Sequence, residues 1–194
     1  MRVFVAGSTG AIGTFLVPAL VAAGHEVAGL TRRPEKGTWL ESVGASPVVC
    51  DLYGDALPEA VLAFSPDVVM HQVTDLPAHP SMIALKVRSL NKARTTGTDR
   101  LIAAARIAGA ERFVAQSIGF KVPGLVQKAV DHLENATLAY PGVVLRYGSF
   151  YGPGTWSEEA PKSGGGVHVR DAADRTVELL TAVAGIYDVA DAAS

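Results

Sequence analysis

Short apolar runs alternate with longer amphipathic stretches through most of the chain. Val3–Val5 is one such run, ending at Gly7. A helical pattern follows through Phe15, Leu16, Ala19, Leu20 and Ala23, and Gly24 closes it. Val27–Leu30 and Val48–Cys50 predict the next two strands, with a weak helix over Trp39–Val43 between them. Leu57–Phe64 predicts a short helix and Asp67–His71 a fourth strand. A long helical pattern covers residues 85–108, with Leu101, Ile102, Ala105 and Ala108 on one face, and Gly109 stops it. Arg112–Ala115 predicts a fifth strand, Leu125–Leu138 a helix and Val143–Leu145 a sixth strand. Strands this short and this apolar belong in a parallel sheet covered on both faces. Their repeated alternation with helices predicts a doubly wound α/β fold.

The texture changes after Tyr151. Gly-Pro-Gly at 152–154, a polar stretch over Trp156–Lys162 and Ser-Gly-Gly-Gly at 163–166 predict loop. Val167–Val169 then reads as extended, Ala172–Ala184 as helix and Ile186–Val189 as a last short strand. The expected organisation is a main body over 1–150 and a short, reduced segment over 151–194 that completes the same fold.

Composition narrows the function classes. With 48% hydrophobic and 19% charged residues among 194, the chain has globular composition. A formal charge of −2 gives no reason to expect a nucleic-acid partner. The single cysteine, Cys50, cannot form an internal disulfide and follows two valines, so a buried thiol is expected. No metal-ligand spacing is present, and a metal site is not expected. No stretch reads as a membrane span or a secretory leader, and the expected location is cytoplasmic.

The first strand runs directly into Gly7-Ser8-Thr9-Gly10-Ala11-Ile12-Gly13, a G-x-x-G-x-x-G spacing that opens a helix. In that context Gly7 permits the tight turn, Gly10 lets the backbone approach a pyrophosphate and Gly13 lets the helix pack on the sheet. The helix N-terminus then faces the phosphates with free N–H groups. This predicts a Rossmann-type site for NADP or NAD. Ser8 and Thr9 either donate to a phosphate or cap the helix. The second strand ends in Arg32-Arg33, where an acidic residue would serve the ribose hydroxyls of NAD. Two guanidinium groups suit a 2′-phosphate instead, so NADP is preferred, unless both simply solvate a loop. Asp51 and Leu52 follow the third strand, near an expected adenine, although Asp51 equally suits a helix cap. His71 and Gln72 end the fourth strand at the ligand crevice, His71 more as a shaping residue than as a catalyst.

These features, with Gly-Thr at 97–98, Gln-Ser at 116–117 and Leu-Arg-Tyr-Gly-Ser-Phe-Tyr-Gly-Pro-Gly at 145–154, resemble the extended or atypical short-chain dehydrogenase/reductase superfamily in its NAD-dependent epimerase/dehydratase branch. The resemblance implies hydride transfer on a small carbonyl, alcohol or sugar-like substrate, and it is consistent with a homodimer. It also implies that Ser117, ending the fifth strand, bonds the reacting oxygen. The family then uses a tyrosine and, four residues later, a lysine. Lys128 stands on the corresponding helix, but Gly124 precedes it by four. Tyr151, following the sixth strand, is the remaining candidate proton donor. The departure opens an alternative reading, a catalytically weak or inactive NADP-binding protein with a regulatory or redox-sensing role.

Overall fold

The computed structural model describes residues 1–122, 124–162 and 164–191. The first half runs β1 (Arg2–Ala6), α1 (Gly13–Ala22), β2 (Glu26–Thr31), α2 (Gly37–Ser42), β3 (Ser46–Val49), α3 (Leu57–Phe64), β4 (Val68–His71) and α4 (Ile83–Lys92). The second half runs α5 (Thr98–Ile107), β5 (Arg112–Ile118), α6 (Gly124–Leu138), β6 (Gly142–Tyr147), β7 (Ser149–Tyr151), β8 (Gly166–His168), α7 (Val169–Glu178) and β9 (Gly185–Val189).

Seven strands form one parallel sheet in the order β3-β2-β1-β4-β5-β6-β9, and β7 and β8 pair separately, also in parallel. The order reverses at β1, which pairs with β2 on one side and β4 on the other. Such a switch point opens a crevice at the carboxyl ends of the strands.

Alternation along β1 divides the core in two. Val3 and Val5 join Leu16, Val17 and Leu20 of α1 and Ala172 and Ala173 of α7. Phe4 and Ala6 face the other way, onto Leu57 and Val61 of α3 and Leu101 and Ala105 of α5. The expected doubly wound architecture is therefore present, with a short C-terminal region.

Several elements differ from expectation. The helix read over 85–108 is divided by a π-helical turn at Ala93–Gly97. Val169 opens α7 instead of ending a strand, and α7 gives way after Glu178 to a tight turn over Leu179–Thr181. The third strand lies earlier than expected, at an edge of the sheet, and Cys50 beyond it is only half-buried. A single covered face at the edge leaves the thiol partly open, correcting the expectation of full burial. Ser163 of the Ser-Gly-Gly-Gly loop lies outside the described residues. Among the described residues no helix is long and apolar enough to cross a membrane, and no cluster of three or more histidine, cysteine or acidic residues is arranged to hold a metal.

Candidate functional site

The glycine loop is shaped first by the protein's own backbone. Gly7 has φ +90°, and a Cβ there would lie 2.4 Å from the Gln72 carbonyl oxygen. The closeness follows from strand pairing, since Gln72 N–H donates to Ala6 O at 2.8 Å. A Cβ on Gly13 would come within 2.3 Å of Gly7 O. Gly10 differs, because among the described residues a Cβ there would meet Gly7 O alone, at 3.3 Å. Packing thus explains Gly7 and Gly13, whereas Gly10 leaves open a cradle that a side chain would fill. The α1 terminus behind it carries no side-chain cap. Thr14 N–H donates to Gly10 O and Phe15 N–H to Ile12 O, so among the described residues the amides left for a ligand are those of Ala11, Ile12 and Gly13, where the loop enters the helix.

A cleft of about 570 Å³ runs from this loop across the ends of β1 to β4. Thr9, Gly10, Ala11 and Ile12 line it. Ser8 does not: it is fully buried, and its Oγ donates to Leu30 O at 2.9 Å. That bond ties the loop to β2, which corrects the expectation of a phosphate contact or a cap.

Arg32 and Arg33 both line the cleft, joined by Lys36 from the turn Pro34–Lys36. Among the described residues none of the three forms a salt bridge. Sequence reasoning passed over Lys36, although its place one turn beyond the arginine pair was the available signal. Farther along, Asp51 and Leu52 line the floor. Asp51 Oδ1 accepts the Tyr53 N–H at 2.8 Å, closing a local turn and leaving Oδ2 toward other partners. Tyr53, also missed, carries Lys92 Nζ 3.9 Å above its ring centroid.

His71 ends β4 but lines neither cavity of the site. Its ring is buried, with Nε2 donating to Ala93 O at 3.1 Å and Nδ1 accepting the Val73 N–H at 3.2 Å. Burial pushes its pKa down to about 4, against a smaller opposing effect of the Ala93 bond, so the ring is neutral near pH 7. His71 braces the cleft wall from behind. Its neighbour Gln72 does line the cleft.

A second cavity of about 590 Å³ adjoins the first, with Gly10, Ala11, Thr74, Leu76, Gln116 and Phe150 in both walls. Ser117 lines it from near the end of β5. The Ser117 hydroxyl donates to Glu134 Oε1 at 2.6 Å. Arg146, the register partner of Ser117 on β6, grips the same carboxylate through Nε at 2.9 Å and Nη2 at 2.6 Å. Burial pushes the Glu134 carboxyl up, but the bonds from Arg146 and Ser117 and the Arg146 charge outweigh it and hold the group below the usual carboxylate range. The serine proton is thereby committed to Glu134, and the serine lone pairs remain available to accept. Glu134 was missed in the sequence, where a glutamate on an amphipathic helix reads as solvated.

The structure does not bring Tyr151 to either cavity. Its hydroxyl donates to Asp191 Oδ2 at 3.0 Å, and its ring meets His168 edge-on. The Asp191 bond and charge raise its pKa. β7 pairs with β8 instead of extending the main sheet, and that pairing carries Tyr151 away from Ser117. Tyr147 does line the second cavity, but its hydroxyl is buried against Thr176 Oγ1 at 2.6 Å. Lys128 is exposed on α6 and lines neither cavity.

Comparison with known proteins places this geometry. A family model described as "NAD dependent epimerase/dehydratase family" matches residues 3–117. The chain is 40% identical over 180 residues to a 3-diazoavenalumate denitrifying reductase from Streptomyces sp, covering 80% of this chain and 58% of that protein. It is 32% identical over 134 residues to a UDP-glucose 4-epimerase from Mycolicibacterium smegmatis, covering 64% of this chain and 41% of that protein. The chain thus spans less than two thirds of both relatives. The solved structure of the Thermus thermophilus UDP-glucose 4-epimerase in complex with NAD superposes with a TM-score of 0.79 at 23% identity, over 100% of this chain and 78% of that one. With the glycine loop, the switch point at β1 and the match over more than half the sequence in agreement, the chain belongs to the NAD dependent epimerase/dehydratase family.

Proposed function

We propose that this chain binds NADP(H) in preference to NAD(H) and carries out hydride transfer on a small carbonyl or alcohol held in the second cavity. The observation that carries the reading is the pair of adjoining cavities: a cleft floored by the glycine loop opens into an apolar chamber beside Ser117. Two relatives named as a denitrifying reductase and a ketoreductase support a reductive direction. Residues 1–150 form the dinucleotide-binding body in this reading, and 151–194 the reduced substrate-side segment.

The residues present fit a dinucleotide. The Ala11, Ile12 and Gly13 amides beside the bare Gly10 backbone would hold the diphosphate, Asp51 and Leu52 would contact the adenine, and Arg32, Arg33 and Lys36 would bind a 2′-phosphate. When bound, the nicotinamide supplies or accepts the hydride. Glu134, itself clamped by Arg146, orients Ser117 so that its Oγ can accept from the hydroxyl of an alcohol substrate. When a carbonyl is reduced, the proton that completes the product alcohol would come from water. A depressed carboxyl is a weak base, so Glu134 positions the serine and stores no proton.

The lining of the second cavity favours a second reading as well. Among the described residues it contains no lysine, histidine or acid, and its one tyrosine hydroxyl is committed to Thr176. A protein that binds NADP(H) with little turnover, as a redox sensor does, would look the same. Single-turnover mixing of NADPH-loaded protein with a carbonyl panel separates the two readings: oxidation of NADPH on any substrate supports catalysis, and none supports the sensor.

Cofactor preference is tested by calorimetric titration with all four dinucleotides. The expected NADP(H) advantage is roughly ten- to a hundredfold, or about 1–3 kcal/mol for charge-assisted bonds at a wet crevice edge. It should shrink with added salt. Replacing Arg32, Arg33 and Lys36 together by alanine should remove most of it and leave NAD(H) affinity nearly intact. Equal or tighter binding of NAD(H) by the parent protein would overturn the preference.

A further inference from the structure

The second cavity has a charge pattern that catalysis does not require. Its walls are largely apolar, with Ile83, Val87, Leu90 and Val126 on the helix side and the aromatic rings of Phe120 and Trp156 nearby. Among the described residues Arg94 is the only charged side chain in the lining. It sits in the π-helical turn Ala93–Gly97, an interruption of helical winding that often accompanies a functional side chain. It is partly buried, and among the described residues its guanidinium makes no salt bridge and no hydrogen bond. Burial holds it below its ordinary pKa.

An unpaired, partly desolvated cation is costly, and an arriving anion relieves that cost. Apolar walls around it penalise any second charge. A diphosphate brings at least two negative charges and would need more cations than the wall offers. We propose that the second cavity takes a flat, apolar acid carrying a single negative charge, with its carboxylate on Arg94 and its ring among Phe120 and Trp156. The inference builds on the reading of this cavity as the substrate chamber, and it selects an aromatic or similarly apolar monocarboxylate over a nucleotide-linked sugar.

Calorimetry with trans-cinnamate, its neutral isostere cinnamamide and UDP-glucose tests this, with and without saturating NADPH. The acid is expected to bind the parent protein about tenfold or more tightly than the amide, as a charge-assisted bidentate pair requires. Arg94→Met should erase that preference while leaving cinnamamide affinity unchanged, and Arg94→Lys should retain part of it. Thermal unfolding by circular dichroism verifies that each variant is folded. Equal binding of acid and amide, no detectable binding of the acid to folded protein, or tighter Arg94-dependent binding of UDP-glucose would each overturn the proposal. NADPH titration of the same samples keeps the two claims apart. Arg94-dependent acid binding without NADPH binding would sink the cofactor reading and leave this one standing.

Discussion

At His71 the cost of burial falls on the proton. The unfolded chain takes up that proton near pH 6.5, whereas the folded protein resists it down to about 4. Between those values the unfolded state binds more protons, so stability is complete above pH 6.5 and declines as pH falls toward 4. The total is up to about 3 kcal/mol for one fully buried ring. Denaturant unfolding from pH 7 to 4.5 should show this slope in the parent and a flatter one in His71→Asn; identical slopes would refute the account. Glu134 works the other way around, as a charge that is kept. Glu134→Gln strands Arg146, and the expected loss near pH 7 is about 1–3 kcal/mol, below the figure for a fully enclosed pair because the Arg146 side chain is 39% exposed. Since the folded carboxyl titrates below its unfolded value, the parent's advantage is present above about pH 4.5 and fades as pH falls further. Equilibrium unfolding of both proteins at pH 7 and pH 3 would reveal a gap that narrows, and a constant gap would argue against a charge effect. Ser117 was reached through the family resemblance that Gln-Ser at 116–117 helps to carry, since the apolar pattern alone ends the fifth strand at Ala115. Glu134 was not, because only the fold lays α6 against the register pair Ser117 and Arg146.

Among the elements, α1 has the least conventional pattern. It is apolar nearly all round, as befits a helix covered on two sides. The sheet covers one side and α7 packs on the other. A chain ending at residue 165 should therefore expose the outer face of α1 and unpair one side of β6. Such a truncation is expected to bind a hydrophobic dye and to lose its cooperative thermal transition; a sharp transition with no dye binding would contradict this role for α7. The main strands were readable because short apolar runs between glycines admit few other structures. The π-helical turn at 93–97 was not, since Ala-Arg-Thr-Thr-Gly carries no winding signal of its own and continues the helical pattern on either side. β7 was hidden for a different reason: three residues directly after β6 give no periodicity to read.

Over the whole molecule, the two cavities differ in how much of each could be read in advance. The dinucleotide cleft is assembled from short consecutive stretches at strand ends, so Gly7–Gly13, Arg32-Arg33 and Asp51-Leu52 each carried their own local signal. The second cavity gathers residues from Gly10 to Trp156. No window of sequence contains it, and Arg94 gains meaning only when its apolar surroundings are assembled. The central place of β1 also has a consequence in time. Because β1 pairs with β2 and β4, the close backbone contacts of Gly7 and Gly13 come from residues 7–73, which leave the ribosome ahead of Trp156. The chamber beside Ser117 waits for Trp156, so during synthesis the floor of the cofactor cleft is laid down well before the walls of the substrate chamber.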